Sequence, residues 1–292
     1  MNIASDIMTI DLLNIYHNRR AALLTQHGKE DLLRPVLYQA LGWQIERVDD
    51  YDTDQLGTFT REIPRAGTQV DAARRKATIG IELSGHSLGL ANEGAFVPDP
   101  FLGMRSWNTE VVILIDADRE IEVVGVAYGH AQHRYRLVQT YEELSAFAQA
   151  AGFPAHHLVI RPDNEHDSRI EKGIADWDKL FAAFENAFKY SKDSAVFVEN
   201  DLRAHCNPTR QAMIIWATEN LVDRLHSYCP QCSIPGFWIG GHVKGLLCRD
   251  CGAPTREILA DVWSCNYCNH KEDRLRQNVD NADPGCCDYC NP

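Results

Sequence analysis

Four Cys-x-x-Cys pairs near the end of the chain are the strongest candidates for chemistry in the sequence. None of the ten cysteines precedes Cys206, and nine fall between Cys229 and Cys290. A Cys-x-x-Cys turn presents two thiolates at the separation that tetrahedral zinc requires, so two such turns complete one site and four turns imply two. The segments between the pairs have lengths typical of zinc ribbons. The predicted zinc ligands are Cys229, Cys232, Cys248, Cys251, Cys265, Cys268, Cys287 and Cys290.

Other chemistries are open to these cysteines. Disulfides suit a small secreted protein, but the first residues contain no apolar run long enough for a signal peptide. Four redox pairs in one tail would be unusual, which leaves an iron–sulfur cluster as the main alternative to two structural zinc ions. The sequence does not determine which Cys-x-x-Cys pairs bind the same ion. Neighbouring pairs could bind one ion together, or the second pair could combine with the third and the first with the last. Cys286 could replace Cys287, and His242 and His270 are weaker candidates.

The cysteine-rich segment, residues 228–292, is acidic, and this limits its partners. It holds six Lys and Arg against eight Asp and Glu, and two zinc ions on eight thiolates add a formal charge of about −4. Such a segment is poorly suited to gripping a phosphate backbone. Zinc would replace the core that so short a segment can barely supply. We expect a double zinc-ribbon domain that contacts a protein or covers the site of the preceding domain.

Four polar stretches in residues 1–227 could bind a phosphorylated ligand. "TQHGK" precedes a predicted helix, where backbone N–H groups and Lys29 would favour an anion, with a simple capped turn as the alternative. "DAARRKA" adds Arg74 and Lys76, which could equally form a solvated face. "ANEGAF" places Glu93 beside Gly94, as a ligand for Mg²⁺ or only a turn acid. The fourth stretch is the densest, and its polar residues are Glu199, Asp201, Arg203, His205, Asn207 and Arg210.

These stretches lie at the joints between predicted strands and helices. Strands are predicted over residues 20–25, 43–48, 109–117, 120–129, 156–162 and 194–200, with a short strand in 87–96 that runs into a loop. Helices are predicted over 29–41, 68–85, 140–152, 174–190 and 207–228. Thr68 with Asp71, and Asn207 with Pro208, are expected to begin two helices. Residues 1–227 are therefore predicted to form an α/β domain with a mixed sheet, which binds ligands at such joints.

Two family resemblances rest on these stretches. "HGKE", "GTFTRE", "ANEGAF", "DLRAHCNPTR" and "CDYCNP" resemble a bacterial family known only as a domain of unknown function with a cysteine-rich tail. The order of motifs over residues 20–226 also resembles, remotely, the inosine/xanthosine triphosphate pyrophosphatases. Those enzymes carry a Thr-x-Asn-x-x-Lys turn, a Glu-Asn-Ala-x-x-Lys-Ala helix, an acidic turn that binds Mg²⁺ and a late Ser-His-Arg. In this chain histidine stands in place of the asparagine of the turn, which is one residue shorter.

The second resemblance implies the inosine triphosphatase-like fold and a Mg²⁺-dependent hydrolase of a nucleotide or other phosphorylated small molecule. Glu93, helped by Asp71, would hold the metal and orient water. The catalytic residues implied in this way are Glu93, Asp71 and His27. The resemblance and the clustering of polar residues at these joints together predict the substrate-binding residues, with Arg74 as a reserve for phosphate: Thr25, Lys29, Arg74, Lys76, Arg203, His205 and Arg210.

Composition limits which functions other than this hydrolase are possible. The apolar content of 45% and charged content of 24% are those of a soluble globular protein. A net charge of −12 argues against broad nucleic-acid binding. With no signal peptide or membrane span in the sequence, we expect a cytoplasmic protein with no membrane partner. Two rivals remain: a ligand-sensing module without catalysis that docks a protein through its zinc ribbon, and, less favoured, specific RNA contact through that ribbon.

Overall fold

The computed structural model describes residues 16–26, 28–56, 67–99, 103, 106–277 and 279–292. The chain clusters into two compact units, Tyr16–Val222 and a smaller one that contains Asp223–Pro292. His27 and the stretch "GTFTRE" lie outside the described residues, so the roles predicted for them stay predictions. In the part of the chain that is described, no helix is both long enough and apolar enough to cross a bilayer.

The larger unit contains a mixed five-stranded sheet with the strand order β2-β1-β3-β4-β5. Its strands are β1 (Arg20–Leu24), β2 (Gln44–Val48), β3 (Leu88–Pro98), β4 (Ser106–Asp116) and β5 (Ile121–His130). β1 is parallel to β2 and β3, and β3, β4 and β5 pair antiparallel. Helix α1 (Glu30–Leu41) connects β1 to β2, and α2 (Gln69–Ser84) connects β2 to β3. The chain therefore moves outward from β1 to β2 and then returns to the other side of β1, so the strand order reverses between β1 and β3.

A second sheet in the larger unit is antiparallel throughout, with the strand order β6-β9-β7-β8. Its strands are β6 (Tyr135–Val138), β7 (Leu158–Arg161), β8 (Glu171–Ile174) and β9 (Val196–Asn200). Helices α3 (Tyr141–Ala150) and α4 (Trp177–Tyr190) share one apolar core with this sheet, and α5 (Pro208–Leu225) follows β9. β6 and β8 were not predicted, because each is only four residues long and mostly exposed.

The smaller unit contains a three-stranded antiparallel sheet with the order β10-β11-β12. Its strands are β10 (Trp238–Lys244), β11 (Ile258–Ser264) and β12 (Lys271–Leu275). The buried residues that pack together at one end are Cys229, Phe237 and Cys265, with Trp263 against them. Cysteine side chains therefore take part in the small apolar core, as expected of a segment too short to build a large one.

The mixed α/β class and most elements agree with the sequence prediction, and the boundaries differ by at most three residues. The capping box of Thr68 and Asp71 is confirmed at the start of α2. The prediction of a short strand and a loop in residues 87–96 is wrong, because β3 continues for eleven residues and pairs with β4 over its whole length. Asn92, Glu93 and Gly94 disfavour a strand locally, but a continuous ladder to β4 overrides that preference.

Helix α5 packs closely on β5 because β5 carries a glycine at the crossing. A Cβ atom on Gly125 would lie 2.2 Å from the Ala217 carbonyl oxygen and 2.4 Å from the Leu221 nitrogen. The neighbouring Val126 N–H donates to Asn220 Oδ1 at 3.0 Å. This contact fixes the position of α5 against the first sheet.

Replacement of Gly125 by alanine should therefore lower the free energy of unfolding by about 1–3 kcal/mol, since the added methyl group would collide with the backbone of α5. Gly80 in α2 is the matched control, because its Cβ would meet atoms no closer than 3.6 Å. Gly80→Ala should leave stability unchanged or raise it by up to about 1 kcal/mol through helix propensity. Urea denaturation of the two variants measures this difference, and equal effects would contradict the packing described.

Candidate functional site

The carboxyl end of β1 is the point at which four separate stretches of the chain meet. The pairing of β1 with β3 ends at Leu23 and Leu90. Just beyond it, the buried Lys29 ammonium donates a hydrogen bond to the Asn92 carbonyl oxygen at 3.1 Å. Lys29 directly precedes α1, in the connection that follows β1. Its side chain therefore provides a hydrogen-bond donor for a β3 carbonyl group just beyond the end of the pairing with β1.

One buried ion pair lies beside Lys29 and joins α2 to β3. Lys76 of α2 contacts the Glu93 carboxylate, and both side chains are buried. Gln69, in the first turn of α2, donates to the carbonyl oxygens of Glu93 at 2.6 Å and Thr109 at 2.8 Å. Helix α2 therefore contacts Glu93 twice, at its carbonyl oxygen through Gln69 and at its carboxylate through Lys76.

A second buried ion pair joins Glu110 to Arg210 on the opposite face of the sheet. Adjacent residues of a strand point to opposite faces, so Glu93 and its neighbour Gly94 belong to different faces. Glu110 of β4 lies across from Gly94 in the strand register. Its carboxylate accepts hydrogen bonds from Arg210 Nε at 2.7 Å and from Asn92 Nδ2 at 3.0 Å. Arg210 Nη1 also donates to the Leu202 carbonyl oxygen at 2.7 Å. The first turn of α5 is thereby fixed to the centre of the sheet.

Gly94 is the residue that makes room for this second ion pair. A Cβ atom at this position would lie 2.3 Å from Glu110 Oε1 and 2.7 Å from Arg210 Nη2. Any side chain here would have to displace the carboxylate or the guanidinium group. The glycine in "ANEGAF" therefore serves the geometry of Glu110 and Arg210.

The electrostatics of the group depend on Lys29. Burial, reinforced by the positive charges of Arg210 and Lys76 and opposed by Glu93 and Glu110, lowers the pKa of Lys29 from its ordinary 10.5 to about 7. Two carboxylates balance the other two cations, so a protonated Lys29 gives this group of five charged residues a formal charge of +1. An anion beside Lys29 would stabilise the protonated form and raise its pKa.

The structure therefore brings Lys29, Lys76, Glu93 and Arg210 together, whereas Asp71, Arg74 and Arg203 pair with other residues. Thr25 is buried at the end of β1, where its N–H donates to the Val48 carbonyl oxygen at 3.0 Å.

Asp71 and Arg74 form an exposed group outside the buried one. The Asp71 carboxylate accepts hydrogen bonds from the Thr68 N–H at 3.1 Å and the Thr68 hydroxyl at 2.6 Å. Arg74 contacts Asp71 at 2.8 Å and Glu122 at 2.6 Å. These hydrogen bonds lower the pKa of Asp71. Its carboxylate caps α2, and its expected role as a helper of Glu93 stays a prediction.

Most of the dense fourth stretch has a structural use. Arg203 Nη2 contacts Asp201 Oδ2 at 2.6 Å, and the same oxygen accepts the Gly173 N–H at 3.0 Å. Asn207 Oδ1 accepts the Arg210 N–H at 3.1 Å, as predicted for a helix cap. The His205 side chain is exposed. Of this stretch, Arg210 is the predicted residue that reaches the buried group.

Sequence reasoning missed Asn92 and Glu110. Glu110 directly precedes the apolar run of β4, and its side chain is completely buried. A charged residue within a strand of this kind is a signal in itself, because buried carboxylates nearly always have a partner.

The eight predicted cysteines form two groups, within each of which the four Sγ atoms lie no more than 4.8 Å apart. Sγ–Sγ distances include 3.6 Å for Cys229 and Cys268 and 3.7 Å for Cys232 and Cys265. Zinc–sulfur bonds of about 2.3 Å in a tetrahedron place the sulfur atoms about 3.8 Å apart. All eight thiols are free of disulfides. The spacing and the donor set therefore fit one zinc ion in each group.

The four Cys-x-x-Cys turns share one backbone arrangement. In each turn, the N–H group of the residue four positions after the first cysteine donates to the carbonyl oxygen of that cysteine, at 2.8–3.0 Å. The donors are Ser233, Gly252, Asn269 and Asn291. Three of them have a positive φ, of 59°, 72° and 60° in chain order, a conformation that favours glycine and asparagine. The repeated turn fixes the direction of both thiols in each pair.

The grouping of the pairs is interleaved and differs from both alternatives that the sequence left open. The first pair joins the third, and the second joins the fourth. The antiparallel sheet gives the reason: Trp238 at the start of β10 pairs with Ser264 at the end of β11. The third pair directly follows Ser264 and the first pair lies six residues before Trp238, so the two pairs meet at one end of the sheet. The second pair follows the end of β10, so the two groups interleave along the chain.

The weaker candidate ligands lie outside both groups. Cys286 is exposed, whereas its neighbour Cys287 is buried within the second group. His242 contacts Asp261 at 2.8 Å, and His270 contacts Glu272 at 3.2 Å.

Adjacent cysteines provide a matched test of this assignment. Metal analysis of the purified protein should find two zinc ions per chain, and Cys286→Ala should retain both. Cys287→Ala should lose one ion, because three thiolates bind zinc less tightly than four. Equal zinc content in the two variants would contradict the grouping.

Comparison with known families places these features in context. A family profile described as a domain of unknown function, DUF6671, matches residues 76–292. The matched region contains both buried ion pairs and all eight grouped cysteines, and it begins after Lys29. No curated protein matches the chain significantly. The expected relation to a family of unknown function is confirmed, and because the match covers well over half of the sequence, the chain belongs to the DUF6671 family.

Proposed function

We propose that the larger unit binds and hydrolyses a nucleotide or another phosphorylated small molecule at the carboxyl ends of β1 and β3. The observation that supports this proposal is the meeting of Lys29, Lys76 and Arg210 where the strand order reverses. In open α/β sheets, ligands bind in the crevice at this reversal. The group of five charged residues has a formal charge of +1 when Lys29 is protonated, which favours an anionic ligand.

The charge balance supports a phosphoryl group in particular. Lys76 and Arg210 are each paired with a carboxylate, so Lys29 supplies the excess positive charge. Lys29 also stands at the N-terminus of α1, a helix of twelve residues. The N–H groups at such a terminus carry partial positive charge and bind phosphate well.

In this proposal, Lys29 and Lys76 contact phosphate oxygens and Glu93 orients the attacking water. The water oxygen forms a bond to phosphorus, and the bond from phosphorus to the leaving phosphate oxygen breaks. The water proton passes to a base, for which the sequence offers His27 as a candidate. Arg210 holds Glu110 and so shapes the site from the other face of the sheet. The inosine triphosphatase-like fold and the pyrophosphatase reaction belong to the same proposal, supported by the order of motifs along the chain.

Magnesium fits this site only if the substrate supplies some of its ligands. Glu93 and Glu110 belong to opposite faces of the sheet, and each is already paired with a cation. The described residues therefore offer the ion one carboxylate, that of Glu93. An ion held in this way takes its other ligands from phosphate oxygens and water, an arrangement common for magnesium, which would balance phosphate charge.

The test is turnover of a panel of nucleoside mono-, di- and triphosphates by the full-length protein, with and without Mg²⁺. Phosphate or pyrophosphate should be released, and Lys29→Met and Glu93→Gln should each lower turnover about 100-fold. Arg75→Gln is the matched control, because Arg75 is exposed on the same helix as Lys76.

Thermal stabilisation by a nucleotide without turnover would contradict hydrolysis and favour the ligand-sensing alternative, in which the zinc-binding unit docks a partner protein. Absence of both binding and turnover across the panel would contradict the proposed site.

A further inference from the structure

The edge of the second sheet exposes backbone groups that no strand of the described chain pairs with. β6 is an edge strand, and its partner is β9. The N–H group of Asn200 in β9 donates to the carbonyl oxygen of Arg134, directly before β6, at 3.0 Å. In an antiparallel pair, residues that bond to the partner strand alternate with residues that point away from it. Arg136 therefore also bonds to β9, whereas the N–H and C=O groups of Tyr135 and Leu137 point outward.

The side chains of β6 divide by chemical type between the two faces of the sheet. Tyr135 and Leu137 lie on one face and are 61% and 52% exposed. The Tyr135 ring stacks on Phe197 at 6.1 Å, which supports it from the neighbouring strand. Arg134 and Arg136 are exposed on the other face, and neither forms an ion pair within the described residues. The edge therefore offers an alternation of cationic and apolar side chains.

Two grooves meet at the beginning of β6. The smaller one, of about 360 Å³, lies between β6 and α3, and the residues that line it include Arg134, Arg136, Ala146 and Ala150. The larger one, of about 710 Å³, extends from β6 toward the ends of β3 and β5, and it shares Arg134 and Tyr135 with the first. No described residue that lines either groove is acidic. On a protein with a net charge of −12, this region is therefore a local site for negative charge.

Two simpler explanations of this edge account for only part of it. Charged residues on a short edge strand discourage unwanted pairing, but that purpose needs neither exposed apolar side chains nor flanking grooves. A second copy of β6, paired antiparallel about Tyr135 or Arg136, would place arginine opposite arginine, and like charges across a strand pair are destabilising. The charge of the edge therefore favours an acidic partner over another copy of the chain.

We infer that β6 accepts an added strand from a partner protein, an extended segment in which acidic and apolar residues alternate. The main chain of this segment bonds to the open groups of Tyr135 and Leu137, as in other proteins that bind a peptide at a sheet edge. Residues opposite each other in paired strands share a face, so its carboxylates lie beside Arg134 and Arg136 and its apolar side chains beside Tyr135 and Leu137. The inference does not rest on the proposed function.

Peptide selection against the full-length, zinc-containing protein tests this surface. One library of short peptides fixes glutamate at every second position and varies the others, and the control library fixes lysine instead. The glutamate library should yield binders and the lysine library none. Hydrogen exchange followed by NMR then locates the tightest binder. The amides of Tyr135 and Leu137 should exchange about 10-fold more slowly with the peptide bound, whereas the Arg136 amide, already bonded to β9, should change little.

Arg136→Glu reverses one charge of the edge. It should weaken the selected glutamate peptide about 10-fold or more, and it should strengthen binding of the same peptide with lysine in place of each glutamate. Arg75→Glu is the matched control, because Arg75 is exposed in α2 and lines neither groove. The control variant should bind both peptides as the unaltered protein does.

Leu137→Pro removes the outward N–H group and leaves the bonds from β6 to β9 in place, since proline is tolerated on an edge strand where its nitrogen faces solvent. It should weaken the glutamate peptide about 5-fold or more through the lost hydrogen bond. Leu137→Val is the matched control, because it keeps the N–H group and an apolar side chain, and it should bind the peptide almost as the unaltered protein does. If Leu137→Pro shows no cooperative thermal transition, the charge reversal at Arg136 decides.

Several results would overturn the inference. A glutamate library without binders is one, and binding that leaves hydrogen exchange at Tyr135 and Leu137 unchanged is another. Equal effects of Arg136→Glu and Arg75→Glu would remove the role of the edge charge. A dimer of the unaltered protein in which these two amides are already protected, and which Leu137→Pro dissociates, would show that β6 pairs with a second copy instead.

Discussion

The hydrogen bond from the buried Lys29 ammonium to the Asn92 carbonyl oxygen is the interaction on which the architecture of the larger unit depends. An ammonium group is expensive to bury, and the cost falls only if neighbouring charges and acceptors compensate. Here the compensation comes from the carboxylates of Glu93 and Glu110, and it is opposed by Lys76 and Arg210. Lys29 therefore connects two ion pairs on opposite faces of one sheet.

Several other features follow from the need to keep these charges together. Gly94 leaves room for Glu110 and Arg210, and Gly125 lets α5 approach closely enough to deliver Arg210. Gln69 fixes α2 to the backbone of β3 and β4, which places Lys76 beside Glu93. Buried ion pairs are weak contributors to stability, and apolar residues of similar volume often serve a core as well. Their presence where the strand order reverses is the basis of the proposed ligand site.

The sequence predicts the parts of this structure that local rules determine. Regular apolar patterns predict most of the helices and strands, and Thr68 and Asn207 mark two helix starts correctly. Local rules fail at β3, where Asn92, Glu93 and Gly94 argue against a strand that long-range pairing with β4 enforces. Residue type and position predict Lys29, Lys76, Glu93 and Arg210, and the structure brings these four together. Glu110 stands before an apolar run of β4 and was not predicted. The interleaved cysteine groups could not be predicted, because they depend on the order of strands in a sheet that no pattern revealed.

The titration of Lys29 tests the central claim most directly, and NMR of selectively ¹³C-labelled lysine side chains can follow it. Lys29→Met identifies the resonance by its disappearance. Without ligand, this resonance should titrate near pH 7, because burial and two neighbouring cations favour the neutral amine. With inorganic triphosphate bound, its pKa should rise toward the ordinary value of a lysine, since the anion stabilises the ammonium form. A Lys29 resonance that titrates like an exposed lysine without ligand, or that does not change when triphosphate is added, would contradict the account.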